Sequence, residues 1–470
     1  VNINPAYRTA EVEYALNKVD CKALVTMPRF KTSDYIGMLR ELAPEWAHAK
    51  AGEPLESQTL PHLKHAIWID VAGEGADEPG FMRFSDLIQR GDPADERVAR
   101  IARLLHPRDP INVQFTSGTT GFPKGATLTH RNILNNGFFI GEAMKLTHED
   151  RLCIPVPLYH CFGMVLGNLA VLTHGGCIVY PNDGFDPLTV LQTVQAEKCT
   201  GLHGVPTMFI AELDHPDFAK YDLSTLRTGI MAGSPCPIEV MKRVQADMNM
   251  AEVTIAYGMT ETSPVSCQSQ TDTPLDKRVS TVGLVQPHLE IKIIDPDSGQ
   301  TVPRGATGEL CTKGYSVMQG YWGDDARTRE AIDAEGFMHT GDLATMDDEG
   351  YVNIVGRIKD MVIRGGENVY PREIEEFLYR HPQIQDVQVV GVPDQKFGEE
   401  LCAWIIAKPG QTLDEAGVRE FCKGKIAHYK VPRYMKFVDA FPMTITGKIQ
   451  KFRIRELMQE ELGLSEQKTA

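Results

Sequence analysis

From residue 9 to about residue 265, β-prone apolar runs alternate with segments whose apolar residues recur at helical spacing, and this alternation constrains the fold more than any other feature. The strand candidates are "CKALVTM", "HAIWIDV", "INVQF", "RLCIPV" and "GCIVYP". Val12, Ala15, Leu16 and Val19 mark a helix that Thr9 is expected to cap, and "FDPLTVLQTV" reads as a helix capped by Asp186 with Pro187 in its first turn. Repeated returns from helix to strand predict an α/β domain with largely parallel sheets. From 282 to 356 the pattern changes to short strands split by turns such as "DPDSGQ" and "DDEG", which predicts an antiparallel β subdomain. Beyond "GRIKD" (356–360) come a helix ("PREIEEFLYRH"), strands ("QVVGV", "LCAWIIA"), another helix and "KFV", a small α+β domain ending near 462. The tail "SEQKTA" is expected to be disordered.

With 470 residues the chain is too long for one core. Its net charge of -15 argues against a general binder of nucleic acid or anionic membrane, so any anionic ligand must be met by local positive charge. Ten cysteines without a C-x-x-C pair suggest neither a zinc site nor a disulfide framework, and a reducing compartment is the simplest setting. No apolar run is long enough to span a bilayer and no signal peptide opens the chain. The start Val1-Asn2-Ile3, without methionine, suggests that sequence upstream is missing.

"FTSGTTGFPKG" (115–125) packs Thr116, Ser117, Thr119 and Thr120 among glycines, an inventory suited to oxyanions. It is not a Walker A loop, because Pro123 precedes Lys124 and glycine follows it. Read alone it is a surface turn. The strand "INVQF" before it and "THRNILNN" after it, with Thr129 as a helix cap, predict the order strand, glycine loop, helix of a phosphate site.

Two further polar stretches follow expected strands: "AGSPCP" (232–237) after "LRTGIM" and "YGMTETSP" (257–264) after "EVTIA". Ligands bind outside the carboxyl ends of strands in open α/β sheets, so the three stretches are candidates to line one cleft. Tyr257 offers a face for a purine, Thr260 a hydroxyl for a phosphate oxygen and Glu261 a hard carboxylate for Mg2+. In "HTGDLA", Asp342 can accept from both ribose hydroxyls, with Arg357 in support. Each in isolation is an ordinary turn or surface residue.

The ordered set "TSGTTGFPKG", "YGMTE", "TGD", "GRIKD", "RGGENVYP" and "TGKIQK" resembles the adenylate-forming superfamily of acyl-CoA synthetases, firefly luciferase and peptide-synthetase adenylation domains, over essentially the whole chain. Within it, "LYHCFG", "AGSP", "GELC", "RGGENVYPREIE" and "FCKGKI" look most like medium-chain fatty acyl-CoA synthetases. The resemblance implies an adenylation domain over 1–356, a hinge at 357–360 and a small mobile domain over 361–470. In relatives "NINPAYR" is preceded by a long stretch that builds part of the large domain.

The resemblance also carries roles for individual residues. Thr116, Ser117, Gly118, Thr119, Thr120, Gly121, Phe122, Pro123 and Lys124 would wrap the triphosphate of ATP. Gly233, Ser234 and Pro235 would border adenine, with Tyr257 stacking on it. Thr260 would hold the α-phosphate, Glu261 the Mg2+, and Asp342 with Arg357 the ribose. His160 would lie near the acyl carboxylate; alone it reads as a structural histidine. Lys359 matches the hinge, and Gly365 and Gly366 would line the pantetheine passage of coenzyme A. Lys448, otherwise one more cation in a basic solvated strand, would reach the carboxylate oxygen and α-phosphate in one domain arrangement only.

The implied reaction is activation of a carboxylic acid by MgATP to an acyl adenylate, then transfer to CoA, with release of AMP and pyrophosphate. The rivals are transfer to a carrier-protein thiol, a different aryl or branched acid, a luciferase-like oxygenase and a non-catalytic nucleotide binder. The expected setting is the cytoplasm, or the mitochondrial matrix in a eukaryote, and a homodimer is the one assembly kept in view.

Overall fold

The computed structural model describes residues 1–69, 78–116, 123–234, 236–364, 367–394, 396–444 and 448–464. Two compact units emerge, one of Val1–Asn132 with Met318–Glu330, the other of Ile133–Val317 with Ala331–Ala470. Both mix helices with strands, and sheets of mixed orientation make this an α/β protein.

In the first unit the helix Thr9–Lys18 buries Val12, Ala15 and Leu16, as their spacing predicts. Its cap differs from expectation. Arg8 is the N-cap residue, and the Glu11 carboxylate accepts from the Arg8 N–H at 2.9 Å. Thr9 already lies inside the first turn and sends its hydroxyl toward Glu41 at 3.4 Å. A carboxylate three residues into a helix can reach back to the cap N–H, which a hydroxyl inside the turn cannot.

The expected order of strand, glycine loop and helix also needs correction. Strand Pro110–Thr116 is followed by a second strand, Lys124–Thr129, antiparallel to it with Thr116 opposite Lys124. Only then does helix His130–Ala143 begin. Thr129 does cap it: the Asn132 N–H donates to Thr129 Oγ1 at 3.2 Å, and Asn132 Oδ1 accepts from the Thr129 N–H at 2.7 Å. A strand, and not the helix N-terminus, therefore follows the glycine-rich stretch. Residues 117–122 lie outside the described residues.

The second unit is organised by a seven-stranded sheet in the order Leu284–Val285, Val265–Gln268, Glu252–Gly258, Thr228–Ala232, Gly201–Gly204, Arg151–Cys153, Cys177–Val179. The last five are parallel, and the first two run antiparallel to their neighbours. Gly201–Gly204 and Thr228–Ala232 are buried along their whole length, as expected where helices cover both faces of a parallel sheet. Helix Pro187–Glu197 starts where expected, the Asp186 carboxylate accepting from the Thr189 N–H at 2.8 Å, and packs Val190, Leu191 and Val194 into the core. From Arg151–Cys153 the chain goes to the strand on one side and returns to Gly201–Gly204 on the other. That reversal opens a crevice at the carboxyl ends of the strands, where ligands of open α/β sheets bind.

Strands Leu289–Ile294, Gly308–Gly314, Met338–Met346 and Val352–Arg357 form the expected antiparallel sheet. Next comes a five-stranded sheet built on Ile384–Asp394 and Gly398–Ala407, with helices Pro371–Leu378 and Glu415–Cys422 and strand Tyr434–Phe437. A final helix, Lys451–Leu462, buries Ile454 and Met458.

Candidate active site

Most side chains of the candidate site in the second unit come from strands or from the segments that follow them. His160 and Cys161 follow Arg151–Cys153, Gly233 follows Thr228–Ala232, and Tyr257 closes Glu252–Gly258 just before Thr260 and Glu261. Asp342 and Arg357 face each other across the ladder between Met338–Met346 and Val352–Arg357.

His160 begins a turn that runs into a π-helix, Phe162–Leu169, a wide winding common at functional sites. Its Nδ1 accepts from the Phe162 N–H at 3.2 Å, so the ring proton sits on Nε2. Burial, and then the charge of Lys448, push the His160 pKa down to about 3; the ring is neutral at physiological pH. Cys161 Sγ lies 3.6 Å from Thr260 Oγ1, and burial raises its thiol to about 11. The π-helix is tied to the sheet by His203, fully buried on Gly201–Gly204, whose Nε2 reaches the Leu166 carbonyl at 3.0 Å and whose Nδ1 accepts from the Ile230 N–H at 3.1 Å. Burial lowers His203 to about 4.

Lys448 reaches this group from the far end of the chain. A Cβ placed on Gly233 would stand 3.2 Å from Val205 Cγ1, 3.8 Å from Lys448 Cε and 3.9 Å from Phe162 Cδ1. Gly233 has φ +93°, a backbone geometry that glycine accepts without strain. Lys448 is held by Thr444: its N–H donates to Thr444 Oγ1 at 3.0 Å, and its carbonyl accepts from the Thr444 N–H at 2.7 Å. Burial comes first in lowering the Lys448 pKa, and Arg357 adds to the shift; Cys161, Glu261 and Asp342 oppose it. One ammonium thus stands within electrostatic reach of His160, Glu261, Asp342 and Arg357.

Asp342, 9% exposed, accepts from Tyr257 Oη at 2.7 Å and pairs with Arg357 Nε at 3.2 Å. Both pKa values are raised, with opposite consequences for charge. Burial raises the Asp342 pKa despite Arg357 and Tyr257, which favours the neutral carboxyl, whereas the charge of Asp342 is the first cause raising that of Arg357, against its own desolvation, and keeps the guanidinium charged. Arg357 leads into the short turn Ile358–Asp360, where Lys359 is exposed.

Glu261 is 5% exposed and follows Thr260 in the short helical turn Thr260–Thr262. Those hard oxygen donors fit Mg2+, which takes few protein ligands and keeps its substrate phosphates and waters.

His160, Tyr257, Thr260, Glu261, Asp342, Arg357 and Lys448 therefore come together in one unit, with Gly233 beneath Lys448 and Ser234 next to it. In the first unit Lys124 stands with its Nζ 3.3 Å from Tyr321 Oη and 4.6 Å from the ring centre, and Thr116 closes the hairpin opposite it. The Pro123 carbonyl accepts from Tyr14 Oη at 3.1 Å. Ser117, Gly118, Thr119, Thr120, Gly121, Phe122, Pro235, Gly365 and Gly366 lie outside the described residues. Reading by motif passed over Cys161, His203 and Thr444. Cys161 stood inside the quoted "LYHCFG", but His203 and Thr444 carry no local signal, because their partners are distant or backbone atoms.

The profile of the AMP-binding enzymes matches residues 1–322, and that of the AMP-binding enzyme C-terminal domain matches residues 373–448. The chain belongs to the AMP-binding enzyme family. This AMP-binding enzyme is 52% identical over 472 residues to the acyl-CoA synthetase YngI of Bacillus subtilis (strain 168), covering 99% of this chain and 84% of that protein. To the mitochondrial medium-chain acyl-CoA ligase ACSF2 of Danio rerio it is 47% identical over 468 residues, covering 99% and 76%. Among solved structures, ATP-bound MatB from Rhodopseudomonas palustris superposes with a TM-score of 0.81 at 29% identity, over 98% of this chain and 83% of that one. The anthranilate CoA ligase AuaEII with anthranoyl-AMP gives 0.82 at 26%, with the same coverage. The AMP-binding enzyme is thus an adenylate-forming acyl-CoA synthetase, an AMP-forming acid–CoA ligase that uses ATP. Its small C-terminal domain is the one its adenylate-forming neighbours share. No helix of the described residues is long and apolar enough to cross a membrane.

Proposed function

We propose that this enzyme activates a medium-chain fatty acid to its acyl adenylate and passes the acyl group to CoA. The observation that carries the reading is Lys448 over Gly233, one charge serving both the His160–Cys161–Thr260 side and the Asp342–Arg357 side. A carboxylate attacking the α-phosphorus of ATP builds negative charge between those two sides, where a fixed ammonium stabilises it most. Thr260 donates to an α-phosphate oxygen. Neutral His160 presents its Nε2–H toward the acyl carboxylate without drawing it into an ion pair. Tyr257 flanks the adenine, Gly233 and Ser234 line its edge, and Asp342 with Arg357 takes the ribose. Thr116 and Lys124 belong to the hairpin proposed to hold the departing phosphates. Glu261 is the proposed ligand of Mg2+, which when bound supplies neutralisation of phosphate charge.

Thioester formation needs Lys448 withdrawn. We assign the turn around Lys359 as the hinge between residues 1–356 and 361–470, with Gly365 and Gly366 as the passage for the pantetheine arm. Burial of Lys448 at the expense of its solvation supports a residue that docks for one step and leaves for the next. The medium-chain preference is supported by the relatives that are medium-chain acyl-CoA ligases, ACSF2. A reducing compartment accords with ten free cysteines.

The test is AMP and pyrophosphate release with CoA present, across straight-chain acids from acetate to stearate with benzoate and anthranilate alongside. An optimum at the middle of the straight-chain series supports the reading. An aromatic optimum moves the substrate class, and release of ADP and phosphate refutes adenylation.

A further inference from the structure

The bulged stretch of strand Met338–Met346 that carries Asp342 is gripped by a carboxylate with no role in the chemistry above. Glu309 lies on strand Gly308–Gly314, is 9% exposed, and has both oxygens engaged. Oε1 accepts from the Gly341 N–H at 3.0 Å, and Oε2 accepts from His339 Nδ1 at 2.9 Å. Gly341, inside strand Met338–Met346, has φ +72°, and the ladder to Gly308–Gly314 shifts register there, so the strand bulges just before Asp342. Thr340 completes the frame, donating to the Leu310 carbonyl at 2.7 Å and accepting from the Asp342 N–H at 3.2 Å.

We propose that Glu309 is the positioning residue of the nucleotide site: by bridging the Gly341 N–H and the His339 ring it sets the bulge that aims the Asp342 carboxylate at the ribose hydroxyls. The proposal rests on the reading of Asp342 as the ribose ligand. Three facts favour it over a merely structural carboxylate. Glu309 grips the residues on either side of Thr340 in the bulge itself; the ladder between Gly308–Gly314 and Met338–Met346 shifts register near Glu309, so regular pairing does not hold the bulge; and Asp342 must be aimed against competing pulls from Tyr257 and Arg357. A carboxylate accepting from an N–H forms a charge-assisted bond stronger than a neutral one.

Ligand atoms of Glu309, Cys311 and His339, one from each, lie within 4.8 Å of one another, which invites a cation reading. The arrangement favours the bracket. Oε2 and Nδ1 already share a hydrogen bond, Oε1 is committed to Gly341, and Asp333, beside His339 Nε2 at 3.8 Å, is paired with Lys292 at 3.3 Å. Burial holds the Cys311 thiol up at about 12, away from the thiolate a soft cation needs.

The experiment measures KM and kcat of acid-dependent pyrophosphate release with ATP and with 2′,3′-dideoxy-ATP, in the wild type, Glu309→Ala, Glu309→Gln and Asp342→Ala. If Glu309 acts through the ribose contact, Glu309→Ala raises the KM for ATP about tenfold with kcat little changed. It also collapses the preference for ATP over the dideoxy nucleotide, and Glu309→Gln, which keeps an oxygen for Gly341 but loses the charge, recovers part of that preference. An undiminished preference in Glu309→Ala, with Asp342→Ala collapsing it, overturns the proposal. An undiminished preference in Asp342→Ala instead removes Asp342 from the ribose, a separate failure. Should Glu309→Ala not fold by circular dichroism, a wild-type preference in Glu309→Gln overturns the proposal alone.

Discussion

Asp342 and Lys448 are the two charged ends of the candidate site, and they are held in unlike ways. Asp342 grows from a strand, faces Arg357 across a ladder, accepts from Tyr257 and is bracketed from behind through Gly341. Among the described residues Lys448 is secured only by backbone and hydroxyl bonds to Thr444, and burial opposes its charge. The difference teaches which part is frame and which is tool. A group pinned by sheet register moves only if the sheet does, whereas a group held through one neighbouring residue can leave when its segment swings.

The sharpest way to break that comparison is Lys448→Ala. Pyrophosphate release driven by acid and ATP should fall about 10²- to 10³-fold, while conversion of supplied acyl-AMP and CoA to the thioester stays within a few-fold. Equal loss of both half-reactions in a folded variant would make Lys448 as much a part of the frame as Asp342.

Asp342→Ala should weaken ATP binding by about 1–3 kcal/mol, since Tyr257 and Arg357 lose their common acceptor together with the ribose. Binding of the fatty acid, followed by isothermal calorimetry, should hardly change. A matching loss for the acid would place Asp342 in the wrong half of the site.

Gly233→Ala tests the floor beneath Lys448. An L-residue at φ +93° with its Cβ 3.2 Å from Val205 should lower stability by about 1–2 kcal/mol, read in denaturant melts. Wild-type stability would mean that the backbone there relaxes without strain.

The titration of Lys448 gives a graded version of the same comparison. Its folded pKa is lowered, so the ammonium loses its proton at lower pH than an ordinary lysine. Adenylation should decline as pH rises through that lowered value, and Lys448→Arg, which stays charged, should lack this alkaline limb at whatever rate it retains. An unchanged limb in the arginine variant assigns it to another group.

Glu212 shows what burial does without a frame. It is 1% exposed, neither carboxylate oxygen has a hydrogen-bond partner among the described residues, and burial holds its pKa well above the ordinary value. A raised carboxyl pKa means the folded state binds more protons than the unfolded one. Stability is then full below the unfolded pKa and is lost as pH rises toward the folded value. Glu212→Leu should therefore be more stable by about 1 kcal/mol at neutral pH, with the gap widening in alkali in melts across a pH series. A gap that narrows in alkali would mean that Glu212 is ionised and partnered after all.

Much of this was legible before any tertiary structure. The helix at Pro187–Glu197 with its Asp186 cap, the cap at Thr129, the run of buried strands and the change to antiparallel pairing after residue 282 all depend on neighbours a few residues apart. The misreadings were local too. Arg8 and Glu11 take the cap expected of Thr9, and a second strand, Lys124–Thr129, stands between the glycine loop and the helix expected to follow it directly. There the β-prone alternation after Lys124 was outweighed by the glycine pattern before it.

By itself the sequence determined the class of the protein and the residue types at its site, because six ordered motifs name chemistry that does not depend on how they are brought together. Only the tertiary structure decided that Lys448, 106 residues beyond Asp342, shares its electrostatic environment, that His203 ties the π-helix to the sheet, and that Glu309 holds the bulge before Asp342. Those relations run between strands paired across long loops. Register and burial set them, and neither is written in the few residues on either side of any one of them.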